Sequence, residues 1–132
     1  MAVHSEDAKH SVLQRVSCGQ SPLPAGRAKY MISGHPVHVR FCSADRAGSP
    51  RYKFNINPNT LSAAYELWIC GSPDQYYLLP IDIVSRIYND PEGYPDRHHD
   101  RIRVVSVNVD TQTVTYAKGK KIDLAPYFGR TL

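Results

Sequence analysis

The chain has no long apolar run. Nothing in its 132 residues approaches the roughly 18 consecutive apolar positions that a membrane-spanning helix needs. Its first ten residues, MAVHSEDAKH, contain no apolar stretch of the kind found in a secretory signal. Cysteine is scarce as well. Cys18, Cys42 and Cys70 are odd in number and widely spaced, which fits neither a disulfide framework nor a paired CxxC zinc knuckle. They read as free thiols, Cys42 and Cys70 behaving as small hydrophobes at strand ends, and the expected setting is a reducing, cytoplasmic one without membrane contact. The ten prolines and nine tyrosines favour strands and loops over long helices.

Acids are missing where bases gather. Residues 25–56 carry six bases against Asp45 alone, and residues 101–132 carry six against Asp110 and Asp123. Residues 57–100 reverse this, with seven acids against Arg86 and Arg97. Segregation of this kind can build a basic face with an acidic back, and a basic face suits a polyanionic partner.

A length of 132 residues points to one domain over residues 1–132, with 1–4 and 19–26 as loop. Ala8, Val12, Leu13 and Val16 share one stripe at helical spacing, so residues 5–18 read as an amphipathic helix. AKYMISG and HPVHVRFCS follow as strands; in the second, Val37, Val39 and Phe41 alternate with His38, Arg40 and Cys42. In RYKFNI, Tyr52, Phe54 and Ile56 alternate with Arg51, Lys53 and Asn55. YELWIC and YYLL form a hairpin around GSPDQ. Both are nearly continuous apolar runs, as expected of strands covered on both faces, which predicts this hairpin at the centre of the sheet. Pro80 then opens a helix, IDIVSRIY. RIRVVSVNVD and TVTYAKG form a late hairpin. The expected class is α/β or α+β: a central mixed sheet flanked by an N-terminal helix and a helix after YYLLP, with a C-terminal β-hairpin.

This strand order, carried by HPVHVRFC, RYKFNI and YELWICGSPDQYYLLP over about residues 5–88, resembles the PD-(D/E)XK nuclease-like fold. The resemblance implies an Asp on the second core strand and an acid-x-Lys on the third, holding Mg²⁺ at a phosphodiester. The matching positions here are His38 or Arg40, and Arg51-Tyr52-Lys53 or Lys53-Phe54-Asn55. A lysine survives without its carboxylates, and Arg40, Arg51 and Lys53 would repel a divalent ion. The implied reading is a DNA-binding module, of a defence or mobile-element kind, with a degenerate nuclease centre, no catalysis and no cofactor. The alternative is an active Mg²⁺-dependent endonuclease whose acids have moved to Glu66, Asp45 or Asp74. A third reading is a protein-interaction domain, as a subunit, an inhibitor or a regulator without nucleic acid, with a protein partner or as a homodimer.

The expected nucleic-acid contacts are Lys29, Arg40, Arg51, Lys53, His98, His99, Arg101, Arg103 and Lys120. Arg40, Arg51 and Lys53 should share one face of two adjacent strands, with Tyr30, Tyr76 and Tyr77 available to stack on bases. Neighbouring His98 and His99 in DRHHDR point apart in an extended loop, so they would chelate a metal poorly, and no metal site is assigned. Glu66 stands inside a buried run, where a carboxylate requires a partner or a role.

Overall fold

The computed structural model describes residues 5–132 and contains two helices and nine strands in two sheets. Helix α1 is Ser5–Val16. Strands β1 (Leu23–Gly26), β2 (Lys29–Ile32), β3 (His35–Cys42), β5 (Tyr65–Cys70) and β6 (Tyr76–Pro80) form the first sheet in the order β1-β2-β3-β5-β6. Strands β4 (Arg51–Ile56), β7 (Arg103–Asn108), β8 (Thr113–Ala117) and β9 (Lys120–Asp123) form the second, in the order β4-β7-β8-β9. Helix α2 is Ile81–Tyr88. The architecture is α+β, and the first sheet is mixed because β3 and β5 run parallel.

The layers follow from side-chain parity. Ala8, Val12, Leu13 and Val16 of α1 bury against Val37, Val39, Leu67, Ile69 and Leu78 on one face of the first sheet. The opposite face presents Trp68, Cys70, Tyr77 and Leu79. These meet Tyr52, Phe54, Val105, Val107 and Val114 from the inner face of the second sheet, with Val84 and Ile87 of α2. Phe54 and Trp68 stack across this interior at 5.0 Å and an interplanar angle of 12°. Two cores therefore share one sheet as a common wall, giving the order helix, sheet, sheet.

Helix α1 ends in a Schellman cap. The Gly19 N–H donates to the Gln14 carbonyl at 3.0 Å and the Cys18 N–H to that of Arg15 at 3.1 Å, with Cys18 at φ 54°.

Three expectations are corrected here. First, the segment 19–26 is not wholly loop: all four residues of β1 are exposed, and β1 is held by its pairing to β2. An exposed Pro- and Gly-containing tetrapeptide carries no apolar alternation, so its strand character is set by its neighbour. Second, the β5–β6 hairpin is not central, because β6 is an edge strand. Its apolar character has another origin. Its open edge is sealed by the C-terminal residues: Phe128 bridges Tyr77, and the Gly129 N–H donates to the Tyr76 carbonyl at 3.0 Å. Third, the late hairpin has a third strand, β9, and β4 joins it to complete a separate sheet.

Candidate nucleic-acid interface and a neighbouring cleft

The second sheet buries one face and exposes the other. Strand β4 shows strict alternation, with Tyr52, Phe54 and Ile56 buried and Arg51, Lys53 and Asn55 exposed. Because directly opposed residues of antiparallel strands share a face, the register extends this outer surface across the sheet. One row runs Lys53, Ser106, Thr115, Lys121 and the next runs Arg51, Asn108, Thr113, Asp123. Four strands at about 4.8 Å spacing set the ends of each row about 14 Å apart. Arg51, Lys53 and Lys121 make no ion pair among the described residues. The hydroxyls and amides between them line a shallow cleft of about 300 Å³. A second cleft, of about 390 Å³, brings Tyr94 and Pro95 beside Arg51 and Lys53. Tyr94 is 44% exposed. The single acid on the two rows, Asp123, accepts the Ala125 N–H at 3.0 Å.

Arg40 does not belong to this surface. It lies on β3 in the first sheet, in register with Trp68, whereas Arg51 and Lys53 lie on β4 in the second. The turn after β3 starts as a hairpin, with Ala44 bridging Tyr52 and the Asp45 N–H donating to the Arg51 carbonyl. Strand β4 then leaves for the other sheet, where Tyr52 and Phe54 find the apolar interior. The expected shared face of Arg40, Arg51 and Lys53 is thus divided between two sheets.

Arg40 instead lines a cleft of about 570 Å³ beside β3, with Lys9, Arg27, His38, Asn57, Asn59 and Thr60. Lys29 lies opposite His38 in the β2–β3 ladder. Behind His38 stands Glu66, its register partner on β5, which is fully buried. The Trp68 Nε1–H donates to Glu66 Oε1 at 3.1 Å, and His38 Nδ1 stands 3.6 Å from the same oxygen. Glu66 Oε2, His38 Nδ1 and Arg40 Nε are buried without a hydrogen-bond partner among the described residues.

The remaining expected residues are dispersed. Lys120 pairs with Asp90 at 2.9 Å and Glu92 at 3.0 Å, an acidic clamp that raises its pKa. Arg103 donates to the Asp100 carbonyl at 2.5 Å and lies over the Tyr88 ring, tying the 89–102 loop to α2. Tyr88 also donates its hydroxyl to the Arg101 carbonyl at 2.6 Å, while Arg101 itself is exposed. His98 and His99 are exposed, and their backbone N–H groups donate to Asp96 Oδ2; these bonds, led by that of His98, lower the Asp96 pKa.

Asp45 sits in the β3–β4 turn, its pKa lowered first by a hydrogen bond from Ser49. Asp74 lies in the β5–β6 turn, paired with Arg15 at 3.1 Å. With Glu66 inside β5, these three acids stand on separate elements, and no cluster of three or more His, Cys, Asp or Glu occurs among the described residues. Tyr76 and Tyr77 are buried, which removes them as stacking platforms; Tyr30 is half-buried.

Lys121, Arg27, Lys9 and the Asn57–Thr60 turn escaped the sequence reading. Lys120 and Lys121 are adjacent in the sequence, yet as successive residues of β9 they face opposite ways. Strand parity is the signal that separates them. No known protein family, curated protein or solved structure matches the chain.

Proposed function

We propose that this chain binds nucleic acid, with DNA as the first partner to test, through the outer face of its second sheet, and that it does so without cutting it. The observation that carries this reading is the pair of rows from Lys53 to Lys121 and from Arg51 to Asp123. Three exposed cations, without an ion pair among the described residues, frame a field of hydroxyl and amide side chains on the outer face of the sheet. Cations supply the counterion-release term of phosphate binding, and hydroxyls and amides supply the neutral hydrogen bonds that position a backbone. The exposed Tyr94 beside Arg51 and Lys53 adds a ring on which a base can stack. The net charge of +4 favours the same partner. The separation of Asp45, Glu66 and Asp74 favours binding over a nuclease with relocated acids, because Mg²⁺ catalysis requires convergent carboxylates.

Affinity for duplex and single-stranded DNA, measured at several salt concentrations, tests the proposal. The wild type should show a steep inverse dependence on salt. A triple variant, Arg51→Ala with Lys53→Ala and Lys121→Ala, should bind at least tenfold more weakly, with a duplex slope shallower by about 2 to 3. All three side chains are exposed on strands, so folding should persist. Unchanged affinity in the triple variant, or wild-type binding indifferent to salt, overturns the reading.

A further inference from the structure

The cleft beside β3 differs in kind from the open sheet. It is concave, and its volume of about 570 Å³ falls in the range of small-ligand sites. Its cations come from three elements: Lys9 from α1, Arg27 from the β1–β2 turn and Arg40 from β3. Among the described residues, the only ion pair of these three is the loose one of Lys9 with Glu6, at 3.7 Å on an exposed carboxylate. One buried nitrogen of the lining, Arg40 Nε, lacks a hydrogen-bond partner among the described residues, while His38 Nδ1 is turned to Glu66 behind the cleft. The His38 side chain is only 7% exposed. Buried polar groups are nearly always satisfied, so an unpartnered guanidinium nitrogen among converging cations marks a place where an acceptor belongs.

Asn57, Asn59 and Thr60, at the 3₁₀ turn Pro58–Thr60, complete the lining. Asn57 Oδ1 already accepts the Asn59 N–H at 2.9 Å, and the Thr60 hydroxyl donates to the Asn57 carbonyl. The Asn57 amide NH₂ and the Asn59 side chain are free to meet neutral polar groups. The nearest buried acid, Glu66, does not line the cleft; His38 stands in front of it.

We infer that this cleft binds a small phosphomonoester of nucleotide size. Arg27, Arg40 and Lys9 receive the phosphate, and the Asn57–Thr60 turn receives the hydroxyl-bearing remainder. A dianion answers several cations converging in a partly enclosed space, and a guanidinium fork presents two N–H groups to phosphate oxygens. A carboxylate ligand would meet the same cations with half the charge. The site shares no residue with the outer face of the second sheet, so it stands or falls independently of the nucleic-acid reading.

The test titrates the full chain with inorganic phosphate, adenosine 5′-monophosphate and adenosine, following the Trp68 indole and backbone amide signals by NMR and the affinity by calorimetry. The nucleotide should bind at least tenfold more tightly than adenosine and shift the amides of residues 27–28, 38–41 and 57–60. Arg27→Ala and Arg40→Gln should each weaken it at least tenfold, and the triple variant of the second sheet should bind it as the wild type does. Arg27 is exposed in a turn, so its variant keeps the fold even if Arg40→Gln does not. Equal binding of nucleotide and adenosine, undiminished binding by Arg27→Ala, or shifts confined to the second sheet each overturn the inference.

Discussion

Glu66 lies opposite His38 in the parallel ladder between β3 and β5, and its Oε1 is shared by the Trp68 indole N–H and the neighbourhood of the His38 ring. A fully buried carboxyl with one certain hydrogen bond depends heavily on that donor. Trp68→Phe removes the donor and part of the ring stacked on Phe54, and should lower stability by about 3 kcal/mol. Much of that loss comes from stranding the carboxyl. In a Glu66→Gln background the same change should therefore cost at least about 1 kcal/mol less, since a neutral amide is cheaper to leave unpaired. Urea denaturation of the four-member cycle measures this. Additivity within about 0.5 kcal/mol would show that Trp68 acts through packing alone.

The parity of single strands was legible in the sequence, and their partnership was not. The alternation of Tyr52, Phe54 and Ile56 with Arg51, Lys53 and Asn55 reads directly as one buried and one exposed face, as found. The stripe of Ala8, Val12, Leu13 and Val16 likewise gives α1 and its buried side. Which sheet β4 joins depends on its pairing with β7, about fifty residues away, while the nearby turn imitates a hairpin with β3 through its Ala44–Tyr52 bridge. The candidate interface suffered from this directly. Arg51 and Lys53 were visible, but Lys121 and the intervening Ser106 and Thr115 are assembled only by register. Glu66 was conspicuous as an acid in an apolar run. Its partner His38 was hidden, because a parallel ladder pairs strands that are not joined by a tight turn.

The three thiols should divide by burial. Cys42 and Cys70 lie opposite each other on β3 and β5. Burial pushes the Cys42 thiol up to about 11, with the Arg40 charge offsetting it only partly, and burial raises Cys70 as well. Cys18 is exposed in the turn after α1. At pH 8 a disulfide reagent should modify one thiol per chain rapidly and the other two only on unfolding, because the thiolate is the reacting species. Cys18→Ser should abolish the fast phase. Rapid modification of two thiols in the native protein would contradict the placement of half-buried Cys42 and buried Cys70 between β3 and β5.

Lys120 and Lys121 are adjacent in sequence and should behave oppositely. Lys120 is clamped by Asp90 and Glu92, and its hydrogen bond holds the Asp90 carboxyl below its ordinary value of 3.8. A carboxyl depressed in the folded state stabilises the fold above its unfolded pKa, and that contribution fades as pH falls through the folded value. Lys120, raised by the same contacts, contributes below its unfolded pKa and loses its contribution as pH climbs through the raised one. Lys120→Met should therefore move the Asp90 titration upward, toward 3.8, in carboxyl-carbon NMR. DNA affinity should stay near that of the wild type, since the lysine is already neutralised by its own protein. Lys121→Met should leave Asp90 titrating as before, weaken DNA binding severalfold and shallow the duplex salt slope by about 0.9. If the two variants lost affinity equally, the phosphate contacts would not follow the parity of β9, and the outer face of the second sheet would cease to be the interface.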